Sequence, residues 1–184
     1  GTEYGAVVLP NGKIKHNKVV GTQAFLKVDA TTAPDLYEGA PKSADFHHNH
    51  PKSTSFSRAD YTEAAVRPAQ RRTWVHGHDG SEYWASFNVD ADAIGKGYDI
   101  ARATTEAAFD RPGMQAFRYR GHLIAEMLRD AGLIEYGATL TPVDAQERVE
   151  ALRDLIGEKR WNKTVEDIAD LKETQNVHDR GAGS

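Results

Sequence analysis

The sequence predicts an α+β domain in which a mixed β-sheet is flanked by helices and followed by a helical C-terminal extension. The first third of the chain contains short apolar runs separated by turn residues, a pattern typical of strands. From Ile94 onwards, apolar residues recur three or four positions apart, as they do in amphipathic helices. The chain has 184 residues, 39% of them hydrophobic, so it can bury one core but not two.

The chain begins with a predicted antiparallel meander of three strands, at residues 4–9, 13–20 and 23–28. Pro10-Asn11-Gly12 is the turn signal between the first two strands. Residues 29–45 contain two prolines and a glycine, and this composition predicts a long loop with one helical turn at residues 35–38.

A short strand then runs through Asp45 and Phe46 into a cluster of histidines, and Pro51 ends it. A helix is predicted to start near Ser57. It is followed by a hairpin, because residues 73–77 and 82–89 flank Asp79-Gly80, a favoured two-residue turn.

Four helices are predicted in the second half of the chain. The first begins near Ile94 and is broken by Arg111-Pro112-Gly113, and the second runs from Phe117 to a stop at Gly132. The third is expected to open with a capping box at residues 141–144, and the shorter fourth at residues 164–167. We therefore expect a domain at residues 1–139, and a helical extension with a disordered tail at residues 140–184.

Composition excludes several classes of protein. The 23 Lys and Arg residues are outnumbered by 27 Asp and Glu, so no general attraction to nucleic acid or anionic membranes is expected. The sequence contains no apolar run long enough to span a bilayer and no signal-peptide core. It contains no cysteine, so any metal must be held by nitrogen and oxygen ligands. We expect a cytoplasmic protein, with a secreted effector or a virion-associated protein as alternatives.

Three of the eight histidines lie at positions 47, 48 and 50. Alternate side chains of a strand share one face, so His48 and His50 should project together while His47 points the other way. With Cα atoms about 6–7 Å apart, two such imidazoles can chelate one metal ion. Asp60, one turn into the predicted helix, can supply a third ligand, which leaves an open position typical of a catalytic zinc site.

The residues alone leave other interpretations open. An isolated pair of histidines two positions apart is weak evidence for a metal, and Ser57 with Asp60 can be an ordinary helix cap. A two-histidine, one-carboxylate iron site of an oxygenase or cupin is a further alternative. The helical second half disfavours it, and so do the residues Ser53-Thr54-Ser55, which stand where a cupin places a glutamate.

The run His48-Asn49-His50-Pro51, with Phe56-Ser57-Arg58-Ala59-Asp60 after it, resembles the motif of the JAMM (MPN+ or JAB) zinc metallopeptidases. It is most similar to the bacterial and phage variants, which include the RadC-like and phage-Mu-F-associated ones. Glu3-Tyr4-Gly5-Ala6 matches the glutamate that the family carries on an early strand. The resemblance covers about residues 3–90, and more loosely the helices up to Gly137. It implies the cytidine-deaminase-like JAB fold.

The resemblance also implies a role for each matching residue. His48, His50 and Asp60 would ligate Zn²⁺, with water at the open position. Glu3 would accept the proton of that water and pass it to the leaving amine. Ser57 would donate a hydrogen bond to the developing oxyanion. The expected partner is a protein or peptide substrate, such as the C-terminal tail of a ubiquitin-like protein. Glu38 is the alternative base.

A non-catalytic scaffold module, of the kind associated with phage heads or toxins, is the alternative function. It is favoured by the six residues between His50 and Ser57, one fewer than in many family members, and by the position of Glu3 near the start of the sequence. Among the other candidates, His76 and His78 are expected in a polar loop and His122 in a structural role. The three tryptophans are expected to anchor the core.

Overall fold

The computed structural model describes residues 2–20, 28–109 and 117–181, with the backbone alone at 16–20, 117 and 173–181. Within these ranges the chain forms six strands and six helices. In chain order they are β1 (Tyr4–Val8), β2 (Ile14–Val20), α1 (Asp35–Glu38), β3 (Ala44–His50), α2 (Arg58–Ala65), β4 (Gln70–Gly77), β5 (Glu82–Phe87), α3 (Ala91–Phe109), α4 (Phe117–Asp130), β6 (Ile134–Thr139), α5 (Ala145–Ile156) and α6 (Glu158–Gly181).

The described strands form one mixed sheet in the order β2-β1-β3-β4-β5-β6. The central pair β3 and β4 is parallel, and every other neighbouring pair is antiparallel. Helix α2 connects the two parallel strands, which is the connection that a parallel pair requires. The predicted α+β class, with a mixed sheet flanked by helices, is therefore confirmed. The more specific JAB fold stays a prediction.

Most of the predicted elements are present near their expected places. The one-turn helix α1, the histidine strand β3 and the β4–β5 hairpin all occur, with β4 starting three residues earlier than expected. Two further predictions concern segments that the structure describes only in part or not at all. Only Val28 of the predicted third strand is described, and the helix break at Arg111-Pro112-Gly113 lies outside the described residues.

Strand β6 is not among the elements that the sequence predicts. In the structure, Gly137 pairs with Trp84 of β5, and a side chain at position 137 would collide with the indole ring. The glycine therefore makes room for a neighbouring tryptophan within the sheet, and it does not mark a turn.

Both helix starts predicted after residue 140 are wrong in position. Helix α5 begins at Ala145 with Asp144 as an N-cap that makes no side-chain hydrogen bond. The Thr141 hydroxyl instead donates to the carbonyl of Asp79, 2.6 Å away, so it ties this segment to the β4–β5 turn. Thr164 lies inside α6, where its hydroxyl donates to the Arg160 carbonyl of the preceding turn at 2.8 Å. Such a bond lets a threonine sit within a helix without capping one.

The main core lies between one face of the sheet and the helices. It joins Tyr61 of α2 and Tyr83 of β5 to the apolar stripe of α5 and to Trp161 and Ile168 of α6. A smaller cluster packs Leu36 of α1 against Val7 and Phe46. The segment after residue 140 thus shares the main core, and a domain boundary at residue 139 stays a prediction. Among the described residues, no helix combines the length and hydropathy needed to cross a membrane.

We expect Ile168→Ala to lower the free energy of unfolding by about 2–5 kcal/mol, because it removes a fully buried side chain from this shared core. The matched control is Leu155→Ala on α5, where the leucine is 48% exposed, and its effect should stay within about 0.5 kcal/mol. Urea unfolding followed by tryptophan fluorescence measures both. An effect of Ile168→Ala as small as that of the control would show that α6 does not contribute to the core.

Candidate metal centre

Strand β3 presents His48 and His50 on the face of the sheet that carries the core. His48 lies opposite Val75 of β4, which belongs to the main core. The two histidines are only 4% and 7% exposed, whereas their neighbours His47 and Asn49 are partly exposed on the other face. This is the alternation that the sequence predicts, and it places two imidazoles side by side with ring centroids 4.9 Å apart.

The start of helix α2 brings a carboxylate to the two imidazoles. Ser57 is the N-cap, and the predicted capping box is present. The Ser57 amide donates to Asp60 Oδ2 at 2.6 Å, and the Asp60 amide donates to Ser57 Oγ at 3.3 Å. This reciprocal pair holds the Asp60 side chain at the N-terminal end of the helix, next to the end of β3. Capping and ligation are compatible here, because a carboxylate has two oxygens with several lone pairs.

His48, His50 and Asp60 form a compact group whose candidate ligand atoms all lie within 4.8 Å of one another. Asp60 Oδ1 is 3.2 Å from His48 Nε2, and Asp60 Oδ2 is 3.5 Å from His50 Nε2. Around a tetrahedral zinc ion with bonds of 2.0–2.1 Å, two ligand atoms are about 3.3 Å apart. The group can therefore bind a metal ion.

The hydrogen bonds of the imidazoles suit ligation through Nε2. His50 Nδ1 lies 2.9 Å from the carbonyl oxygen of Thr54. A carbonyl can only accept, so Nδ1 carries the hydrogen and Nε2 presents its lone pair to Asp60. Both ring nitrogens of His48 are buried. Nδ1 has no hydrogen-bond partner among the described residues, and the 3.2 Å contact of Nε2 with Asp60 Oδ1 lacks hydrogen-bond geometry. Leaving a buried polar atom unpaired is costly, and a metal ion at Nε2 would remove that cost.

The charges in the group suit a metal as well. Burial by itself would raise the pKa of Asp60, but His48, His50 and the Ser57 amide outweigh it and hold that pKa well below its usual range. Burial lowers the pKa of His50. Both shifts favour the deprotonated forms, which are the forms that metal ligands need.

Glu3 lies just before β1, on a chain end that is tied to β3. The Tyr4 amide donates to Asn49 Oδ1 at 2.6 Å, and Gly5 pairs with His48 across the two strands. Continuing this register places Glu3 opposite His50, on the face that carries the group. Burial raises the pKa of Glu3, and the charges of His48 and Asp60 also act on it. The alternative base, Glu38, is exposed in α1.

Ser57 is exposed, and its hydroxyl oxygen accepts the Asp60 amide hydrogen. The oxygen is therefore oriented by the cap, while its own hydrogen can still be donated to another group. A serine that caps the helix can in this way also point a donor towards a neighbouring ligand.

The other histidines whose side chains the structure describes lie away from this group. His47 Nδ1 contacts His76 Nε2 at 3.0 Å on the opposite face of the sheet, and His78 contacts the Asn49 side chain at 3.2 Å. His122 is buried in α4 with Nδ1 2.7 Å from the Tyr136 hydroxyl, and burial lowers its pKa to about 4. His122 is therefore buried and hydrogen-bonded in the core and is not one of the grouped ligands, as the sequence predicts.

The tryptophans divide between two places. Trp161 is buried in the core, as predicted. The prediction is wrong for Trp74 and Trp84, which lie partly exposed on the other face of the sheet, where the Arg72 guanidinium covers the Trp84 ring at 4.4 Å. Trp74 precedes the core residue Val75 on β4, and Trp84 stands between the core residues Tyr83 and Ala85 on β5. This alternation is the signal that places both tryptophans on the other face.

Thr54 is the part of the site that the sequence does not reveal. Its closest contact with His50 Nδ1 is through the backbone carbonyl, which every residue type carries, and its hydroxyl lies 3.3 Å from the same nitrogen.

Comparisons of the chain with protein-family models, with curated proteins and with solved structures gave no match. The case for the metal centre therefore depends on its geometry: an α+β fold with a buried group of two histidines and one aspartate at the carboxyl end of a parallel strand pair.

We expect His48→Ala to weaken metal binding by more than about 100-fold, since loss of a ligand should exceed the 10–100-fold cost of changing an outer partner. His47→Ala is the matched control, because His47 is adjacent in sequence but lies on the opposite face. Metal content after dialysis against zinc, measured by atomic emission, tests both variants. Equal metal content in wild type and His48→Ala would remove this site as a metal centre.

Proposed function

We propose that the chain is a zinc-dependent metallopeptidase or isopeptidase of the JAMM type. The observation that carries the proposal is the buried group in which His48 Nε2 and His50 Nε2 lie 3.2 and 3.5 Å from the Asp60 carboxylate. Its residues are those that the family motif uses as zinc ligands. The proposal extends to the JAB fold, with which the mixed sheet and flanking helices agree.

Zinc is the metal that this donor set favours. Two imidazole nitrogens and one carboxylate are the three-ligand set of many catalytic zinc sites, and the chain has no cysteine that could complete a structural site. When bound, zinc would lower the pKa of water towards neutrality and polarise the scissile carbonyl.

Glu3 is proposed as the general base. The register of β1 against β3 puts it on the same face as the ligands, and its partial burial raises the pKa of the carboxyl, which strengthens it as a proton acceptor. It would take a proton from the attacking water and deliver it to the nitrogen of the leaving amine.

Ser57 is proposed as the donor to the oxyanion of the tetrahedral intermediate. Its position as N-cap places the hydroxyl beside Asp60, and the Asp60 amide orients the oxygen. A donor held in place before the reaction stabilises developing charge without having to reorganise. We propose a protein or peptide substrate with an extended segment, such as the C-terminal tail of a ubiquitin-like protein.

A non-catalytic scaffold module is the second candidate. One observation favours it: Ser57 and Asp60 complete a capping box, so both have a structural use without any chemistry. The two candidates differ in what they require of Glu3, which has no part in that cap.

Glu3→Gln should abolish peptide hydrolysis while leaving zinc content unchanged, because the amide keeps the shape of the side chain but cannot accept a proton. The assay incubates wild type and variant with a diverse peptide mixture and with ubiquitin-like tails, in water labelled with heavy oxygen. Mass spectrometry then detects labelled carboxyl termini. Glu38→Gln is the control and should retain wild-type activity. A zinc-loaded wild type that labels no peptide, or a Glu3→Gln variant as active as wild type, would contradict the proposed mechanism.

Ser57→Ala should lower kcat by roughly 100- to 1000-fold with zinc still bound, because it removes the oxyanion donor. It should also lower the free energy of unfolding by about 1 kcal/mol through loss of the cap. Ser57→Thr keeps both the cap and a hydroxyl, so it separates the two effects and should recover most of the rate. Steady-state kinetics and urea unfolding measure them, and wild-type kcat in Ser57→Ala would rule out this role.

A further inference from the structure

The connection between β3 and α2, residues 51–57, joins the proposed ligands His50 and Asp60 and is held in place by other elements. On one side, the amide of Asp79 in the β4–β5 turn donates to Ser53 Oγ at 3.2 Å. On the other side, helix α4 comes so close at Gly121 that an added Cβ would lie 3.3 Å from the carbonyl oxygen of Phe56 and 3.4 Å from Ser55 Cβ. The position of this connection therefore depends on residues far away in the sequence.

A buried polar chain reaches the connection from β6 and α4. The Tyr136 hydroxyl lies 2.7 Å from His122 Nδ1 and 3.5 Å from Ser55 Oγ. All three side chains are buried. The Tyr136 ring also stands edge-on to Phe56, with centroids 6.4 Å apart. Tyr136 is thus the link between the core helix α4 and the segment that joins the two ligands.

The direction of these hydrogen bonds follows from the surroundings of His122. Its imidazole is neutral because burial lowers its pKa to about 4, so it carries a single hydrogen. Its Nε2 faces the Glu126 carboxylate, with Oε1 3.9 Å away, which favours the hydrogen on Nε2. His122 Nδ1 then accepts from Tyr136, whose oxygen is left to accept from Ser55.

Ser55 adjoins both parts of the site. On one side is Thr54, whose carbonyl accepts from His50 Nδ1 at 2.9 Å and so sets the orientation of that imidazole. On the other side are Phe56 and Ser57, where the cap of α2 holds Asp60. A shift of Ser55 would turn the His50 ring and move Asp60 at the same time.

We infer that Tyr136 and His122 are positioning residues for the metal centre, and that they set its zinc affinity through Ser55. This inference rests on the proposed zinc site. It adds to that site a pair of residues that act on the metal ligands through Ser55.

The test measures the zinc dissociation constant by competition with a chromophoric chelator. Tyr136→Phe should weaken binding roughly tenfold, the low end of the effect of outer partners on metal affinity. Tyr83→Phe is the matched control. It also removes a buried tyrosine hydroxyl on the core face of the sheet, but that hydroxyl makes no hydrogen bond to Ser55, His122 or Tyr136. Zinc binding by Tyr83→Phe should match wild type.

A second pair of variants tests the same link at His122. His122→Asn retains an acceptor near Nδ1 and should keep most of the affinity, whereas His122→Leu should lose as much as Tyr136→Phe. The visible absorption spectrum of the cobalt-substituted protein should change in Tyr136→Phe and His122→Leu only, since it reports ligand geometry and not fold stability. Urea unfolding of the zinc-free variants gives the stability separately.

The possible outcomes are distinct. If wild type binds zinc and Tyr136→Phe binds it within about twofold as tightly, with an unchanged cobalt spectrum, the inference is overturned and the proposed function stands. If the metal-free variants lose stability but His122→Asn and His122→Leu bind zinc equally, the residues are structural only. A wild-type chain that binds no zinc would overturn the proposed function and the inference together.

Discussion

Asp60 is a largely buried carboxylate whose pKa is held well below its usual range by the two histidines and the backbone amide that face it. A buried charge without such partners would be expensive or would take up a proton. The local structure supplies each partner in a different way. The strand β3 brings the two imidazoles to one face, and the first turn of α2 brings the amide and fixes the carboxylate. The rest of the site is arranged around this requirement.

The same requirement explains why one aspartate has two roles. A capping aspartate must lie at the start of its helix with its oxygens near backbone amides, and this leaves lone pairs directed away from the helix. Here they meet the two buried histidines at the end of β3. The cap thus orients a candidate ligand without a further supporting residue. Helix capping and metal binding are therefore compatible at this aspartate.

The sheet supplies the other half of the arrangement. Because β3 and β4 are parallel, α2 must cross between them, and its N-terminal end comes to lie at the carboxyl end of β3. Ligand sites in sheets with parallel strands commonly lie at such ends. The antiparallel strand β1 on the other side of β3 brings Glu3 to the same region. The core helix α4 and the edge strand β6 contact the connection between β3 and α2, through Gly121 and the Tyr136 hydroxyl respectively.

The amino-acid sequence determined those features that depend on near neighbours along the chain. The alternation of His47 and His48 across β3, the cap at Ser57 and the apolar stripe of α5 follow from the periods of strand and helix, and all three are present. Strand β6, the place of Thr141 and the continuity of α6 past Thr164 were decided by the tertiary structure, because each depends on a partner distant in sequence: the indole of Trp84, the carbonyl of Asp79 and the packing against α3. The carbonyl of Thr54 and the Tyr136–His122 pair belong to the same group. A sequence pattern records which side chains a chain carries, whereas backbone groups and contacts between remote segments exist only once the chain has folded.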